Sequence, residues 1–157
     1  MRPYLLIRIS IVSTAVLASI SASALDYREG DYVEGYFQPV DGDNLKFGDL
    51  NIRLWGIDAP DRQKDKPMSH FFKASKARLE YYTQVPVRCV FTGKKSYKRP
   101  VARCYQIASR NDLAALMTGS GYAVEWRSFS KGTYTVYENY ARQQGLGLWS
   151  QMSVSWR

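Results

Sequence analysis

Histidine and cysteine are scarce in this chain, which has one of the first and two of the second. Two thiols and one imidazole do not make the three- or four-donor set of a zinc site. No long apolar run occurs after residue 24, nothing repeats internally and no low-complexity tail is present. With 157 residues, 45% of them hydrophobic, the chain has enough for one globular core and too little for two. Acidic side chains are also missing from the first 24 residues. There Arg2 and Arg8 precede an apolar run from Ile9 to Ile20 that only Ser and Thr interrupt, and Ala22-Ser23-Ala24 follows as a small-x-small cleavage site. Residues 1–24 are therefore expected to be a signal peptide, and residues 25–157 a single exported domain, secreted or periplasmic and without stable membrane insertion.

Loss of Arg2 and Arg8 with the leader takes the basic residues from 22 to 20 against 14 acidic ones, and the net charge from +8 to +6. Such a surface favours polyanions. Nucleic acid, anionic lipid headgroups and acidic polysaccharide all fit that field, and charge alone does not rank them. Cys89 and Cys104 flank a basic, turn-like stretch from Thr92 to Tyr97, between strand-like segments at Val87 to Phe91 and Val101 to Ile107. Their midpoint falls at Ser96-Tyr97, where a hairpin turn is expected, so the sulfurs are candidate cross-strand neighbours. In an exported protein this placement points to a disulfide, with two reduced core thiols as the alternative.

From Tyr32 to Ile57 apolar residues recur at roughly every second position between turn signals, and Gly48-Asp49 reads as a tight hairpin. Ser69 is a candidate cap for a helix over about His70 to Tyr82, with Phe72, Leu79 and Tyr82 on its core face together with Ala74 and Ala77. Further helices are expected over about Asn111 to Thr118 and Tyr134 to Gln144, each ending at glycine. Five short strands and three helices describe an α+β, mainly β protein: a small five-stranded barrel with helical additions, in an OB-like arrangement.

Acidic residues gather at Asp41, Asp43, Asp58 and Asp61, in two turn-flanked clusters joined by the strand Asn51 to Ile57. Carboxylate and carbonyl oxygens suit a hard cation such as calcium or magnesium. An Asp-Gly-Asp turn alone is more often simply a satisfied turn. Arg53 on the same strand and Arg99 after the second hairpin add guanidinium forks, whose paired donors match a phosphate. On paper these groups compose a phosphodiester site, although each arginine alone reads equally as a solvated strand-edge charge.

The order of the motifs is more specific. Val40-Asp41-Gly42-Asp43-Asn44-Leu45, Ile52-Arg53-Leu54-Trp55-Gly56-Ile57-Asp58-Ala59-Pro60, Tyr97-Lys98-Arg99-Pro100-Val101-Ala102, Glu138 with Ala141-Arg142, and Gly147-Leu148-Trp149 follow one another along the chain. Over about Tyr32 to Ser150 this succession resembles the staphylococcal nuclease (thermonuclease) family. The resemblance implies a five-stranded OB barrel with three helices, and calcium-dependent hydrolysis of DNA and RNA by a monomer. It further implies that Asp43, Asp58 and the backbone carbonyl of Ala59 hold Ca2+ with Asp41 nearby, and that Arg53 and Arg99 grip the scissile phosphate. Tyr97 would contact the nucleotide, with Lys98 beside it on the substrate side.

Three positions depart from the family's pattern. Asp61 stands where a glutamate orients or deprotonates the attacking water, and its carboxylate is shorter by one methylene, about 1.5 Å. Asn44 replaces a threonine or serine. Lys98 replaces a glycine whose backbone angle a lysine would adopt only with strain. Tyr122, Trp126, Tyr134 and Tyr137 read as core or groove wall, Glu138 and Arg142 as structural partners four residues apart, and His70 as an exposed or capping helix residue. Beside a nuclease, the sequence admits a catalytically weakened nucleic-acid-binding module and an envelope protein acting with acidic exopolysaccharide.

Overall fold

Alternating burial along short segments builds a sheet, and the turn glycines set its corners. The computed structural model describes residues 27–62 and 69–151, and of Ser69 and His70 only the backbone. The expected leader and the His70 side chain lie outside the described residues.

Strands β1 (Tyr32–Gly35), β2 (Gln38–Pro39), β3 (Asn44–Phe47), β4 (Leu50–Leu54) and β5 (Ile57–Asp58) precede helix α1 (Ser69–Tyr82). Strands β6 (Val87–Ser96) and β7 (Arg99–Gln106) follow, then α2 (Leu113–Gly119), β8 (Val124–Glu125), α3 (Arg127–Ser130), α4 (Thr135–Gln143) and a 3-10 turn at Gly147–Ser150. Six strands form one sheet in the order β1-β6-β7-β4-β3-β2, and β5 pairs with β8 in a separate ribbon. The pairing of β4 with β7 is parallel, through Arg53↔Val101 and Leu54↔Ala102.

The α+β, mainly β class is as expected, and the architecture is consistent with an OB-like fold of the thermonuclease kind. Two details are corrected. The main sheet has six strands and is not closed, because among the described residues its edge strands β1 and β2 do not pair with each other. Among the described residues four helices replace the expected three, the addition being α3, a single turn too short to show a helical period. Pro39, which cannot donate to a ladder, sits on edge strand β2.

The face of α1 is also rephased. Phe71, Ser75, Leu79 and Thr83 are buried at intervals of four, whereas Phe72 is half-buried and Ala77 exposed. The two polar members of that stripe hid it from a reading based on hydrophobicity. Ser75 Oγ donates to the carbonyl of Tyr122 (2.6 Å) and Thr83 Oγ1 to that of Leu79 (3.0 Å), so neither is buried without a partner.

Strands β6 and β7 run further than expected. Their hairpin extends to the pair Ser96↔Arg99, and the turn is Tyr97-Lys98, not the wider Thr92 to Tyr97. A bulge between Phe91 and Lys95, with Gly93 at φ +69°, absorbs the change of register. Below it Cys89 and Cys104 are direct cross-strand partners, bonded at 2.04 Å with a Cα separation of 4.0 Å, and both are buried. The loop they close spans 15 residues, which corresponds to about 3 kcal/mol of stabilisation in the chain-entropy model. A thiol count on denatured, unreduced protein should find none, and reduction should lower the unfolding free energy by about that amount in urea titrations. Two free thiols in the native chain would contradict the bond.

Candidate functional site

The acidic turn between β2 and β3 is built by local hydrogen bonds. Asp41 Oδ1 accepts from the backbone N–H of Asp43 (3.0 Å), and the Val40 N–H donates to the Asn44 carbonyl (2.9 Å). Gly42 is required there by crowding: a Cβ at that position would lie 1.8 Å from Ser75 Oγ of α1 and 2.6 Å from Ala59 Cβ. The turn thereby presses against both the helix and the end of β5.

Strand β4 places Arg53 opposite Asn44 in the ladder, and the Arg53 side chain reaches across to β5. Its Nη1 forms an ion pair with the Asp43 carboxylate. Its Nη2 donates to Asp58 Oδ1 and to the Ile57 carbonyl, both at 2.9 Å. The guanidinium also lies 5.8 Å from the Trp126 ring centroid. Arg53 is only 6% exposed, and burial lowers its pKa from the ordinary value, opposed by Asp58 and Asp41. An arginine so paired stays charged at any pH of interest. Burial likewise pushes the Asp41 carboxyl up, against hydrogen bonds from Asn44 and the charges of Arg53 and Arg99.

Asp43 has both oxygens engaged. Oδ1 meets Arg53 and the Asn44 amide (2.6 Å), and Oδ2 accepts the Ala59 N–H at 2.7 Å. Arg99, at the start of β7, donates from Nη1 to Asn44 Oδ1 at 2.6 Å. These groups wall a pocket of about 310 Å³. Asp41, Asp43, Asp58, Ala59 and Asp61 line it together with Arg53, Arg99, Tyr97, Ser96 and Trp126. Asp61 is exposed at its rim. Every expected catalytic and metal-site residue is thus brought to one pocket, and Lys98 is not among the residues lining it.

Lys98 also lacks the strain expected of it. The positive φ of the turn, +55°, belongs to Tyr97, which is 86% exposed at the hairpin tip. The glycine-like conformation therefore falls one position earlier than the sequence suggested.

Sequence reasoning missed three features. Asn44 joins Arg99 to the acidic turn, a link that depends on strand register. Ser96 takes part in the wall, with no signal of its own in the sequence. Glu125 anchors the segment that presents Trp126. Its side chain accepts from Ser130 Oγ (2.6 Å), Thr135 Oγ1 (2.5 Å) and the Tyr134 N–H (2.9 Å), while Glu138 Oε2 accepts the Glu125 N–H at 2.6 Å. Burial pushes the Glu125 carboxyl up, but these donors outweigh it and hold it below the usual value. The expected Glu138–Arg142 partnership is present at 2.8 Å. Trp126 continues into an adjoining slot of about 370 Å³, walled by Trp55, Leu54 and Phe129, with Lys94 and Lys95 alongside.

The donor chemistry of the acidic side, oxygen only, fits a hard cation. In the structure Arg53 bridges Asp43 and Asp58, and among the described residues no group of three or more His, Cys, Asp or Glu is arranged as a ready ligand shell. A cation there would share the two carboxylates with the guanidinium.

A family profile described as staphylococcal nuclease homologue matches residues 51–151, well over half of the chain. The succinoglycan biosynthesis protein ExoI of Rhizobium meliloti (strain 1021) is 26% identical over 152 residues, which cover 90% of this chain and 79% of that protein.

The buried Arg53 has a measurable structural consequence. Arg53→Ala leaves Asp43 and Asp58 without their shared counter-charge and should cost about 3–5 kcal/mol in urea unfolding. Glu125→Gln should destabilise at neutral pH. Because the folded carboxyl titrates below the unfolded one, that loss should persist above the ordinary glutamate pKa and shrink as pH falls through the lowered value. A difference from wild type that stays constant from pH 7 to about 3 would contradict the assignment.

Proposed function

Because the chain belongs to the staphylococcal nuclease homologue family, we propose that it is an exported hydrolase of phosphodiester bonds in DNA and/or RNA, acting with little sequence preference. The observation that carries this reading is the convergence of Arg53, Arg99 and four aspartates from separate strands and turns on one pocket. The Cys89–Cys104 bond suits an oxidising compartment. No described helix is long and apolar enough to cross a membrane.

In this reading Arg99 binds a non-bridging phosphate oxygen and stabilises the charge that grows there during attack. Arg53 spends its donors on Asp43, Asp58 and the Ile57 carbonyl, and so contributes mainly positive potential and the placement of both acids. Asp61 accepts a proton from the attacking water as the water oxygen bonds to phosphorus, and the ester P–O bond breaks with its electron pair going to the leaving oxygen, which takes a proton from solvent. Asp43, Asp58 and the Ala59 carbonyl would hold Ca2+, with Asp41 nearby, and the ion would supply Lewis acidity to the phosphate. Tyr97, at the exposed hairpin tip, offers a stacking surface that suits any base.

A second reading draws on the relative named for succinoglycan biosynthesis: this basic chain works with an acidic exopolysaccharide at the envelope. A third keeps nucleic acid as ligand without cleavage. Digestion of single-stranded DNA and of RNA in calcium and in chelator separates them. Cleavage with calcium and none with chelator is expected, and full cleavage in excess chelator would remove the cation from the mechanism. Salt-dependent binding of oligonucleotide without cleavage would favour the binding module, and binding of acidic glycan alone would favour the envelope reading.

Asp61 supplies the sharper test. Restoring the methylene in Asp61→Glu should raise the cleavage rate by about ten- to a hundredfold with substrate affinity nearly unchanged. Arg99→Ala should abolish cleavage in either background. An active wild type that Asp61→Ala leaves unchanged would show that Asp61 is not the base.

A further inference from the structure

Asn44 is 4% exposed and stands between the acidic turn and Arg99. Its Nδ2 donates to both oxygens of Asp41, at 2.8 and 2.9 Å, and to Asp43 Oδ1 at 2.6 Å. Its Oδ1 accepts from Arg99 Nη1 at 2.6 Å, across 55 residues of sequence. A carboxamide is an uncharged side-chain group with two donor hydrogens at one end and an acceptor at the other, so its polarity matches anions on one side and a cation on the other. The opposite flip would set the NH2 against the guanidinium and the carbonyl against two carboxylates. A threonine or serine hydroxyl, with one hydrogen and a shorter reach, would not serve two aspartates and an arginine together.

We propose that Asn44 is a positioning residue, which sets the Arg99 guanidinium in the pocket and ties its placement to the Asp41–Asp43 turn. This rests, for its effect on substrate, on the reading of the pocket as a phosphate site. Arg99 lies at the end of a hairpin whose turn is exposed, and Asn44 is what holds its head against the sheet. The bridge also lets Arg99 keep further N–H groups for a phosphate, because a neutral partner takes one donor without cancelling the charge.

The test has two arms on the full mature chain. In the first, NMR follows the Asn44 side-chain NH2 and carboxamide carbon in the free protein. Slow amide exchange is expected in wild type, with shifted resonances and faster exchange in Arg99→Ala. Identical signals in the two proteins would overturn the proposal, and this arm needs no Asn44 variant to fold.

In the second arm, a fluorescein-labelled phosphorothioate oligothymidylate is titrated in EDTA against wild type, Asn44→Ala, Arg99→Ala and the double variant. Asn44→Ala should weaken binding by about tenfold when Arg99 is present and less than about twofold when it is absent. It should also flatten the slope of log K against log salt by about 0.7, the share of one phosphate contact on a single strand. Equal losses in both backgrounds would reduce Asn44 to a structural residue and overturn the proposal. If the NMR coupling is present while wild type binds no oligonucleotide, the positioning of Arg99 stands and the phosphodiester reading of the pocket falls.

Discussion

The buried guanidinium of Arg53 is the interaction on which the site depends. Taking the Arg53 guanidinium and the Asp43 carboxylate out of water costs several kcal/mol per ion, and only close pairing with further hydrogen bonds offsets it, while Asp58 stays partly exposed. Arg53 reaches Asp43, Asp58 and the Ile57 carbonyl from a single planar fork. Asp43 in turn holds the N–H of Ala59. One side chain on β4 therefore fixes the turn before β3, the strand β5 and the residue after it. The positions from which a cation or phosphate would be addressed are consequences of that arrangement.

Three other constraints keep the frame from relaxing. Helix α1 presses Ser75 against Gly42, so the acidic turn cannot move outward without displacing a helix whose stripe of Phe71, Ser75, Leu79 and Thr83 is buried. The Cys89–Cys104 bond locks β6 to β7 below the bulge, and the hairpin above it brings Ser96 and Arg99 to the pocket and Lys95 to the adjoining slot. The far wall is held separately, by the buried Glu125 carboxylate and its donors on α3 and α4, with the Trp126 N–H donating to the Gly56 carbonyl at 2.8 Å. Rigid supports on three sides suit a site whose task is to meet a charged group in a fixed position.

Much of this was legible in the sequence, for identifiable reasons. The cysteine pair could be read because a hairpin places symmetric positions opposite each other. The acids and arginines could be read because their order along the chain resembles that of a known family. Helix α1 was found but rephased, because Ser75 and Thr83 occupy buried positions, their hydroxyls satisfied by the carbonyls of Tyr122 and Leu79. Helix α3 was missed because one turn has no period. The sheet is open because, among the described residues, its edge strands β1 and β2 do not pair, and local alternation carries no information about closure. The Asn44 bridge needed the register of β3 against β4 and the length of the β6–β7 hairpin, both set by tertiary packing.

Geometry also sorts the three departures from the family's pattern. Asn44 is absorbed, since it makes more partners than the threonine or serine it replaces would reach. Lys98 does not carry the left-handed angle of its turn, because Tyr97 does; a non-glycine residue there costs about 1–2 kcal/mol, which the long β6–β7 ladder can bear. Neither change touches the group that would activate water. Asp61 does, and it is exposed at the pocket rim directly after Pro60, whose fixed φ limits how far the backbone can carry a shorter side chain inward. Under the proposed reading, the distinction between a working hydrolase and a binding module that keeps its pocket would rest on the reach of that one carboxylate, since Arg53, Arg99 and the other aspartates line the same pocket.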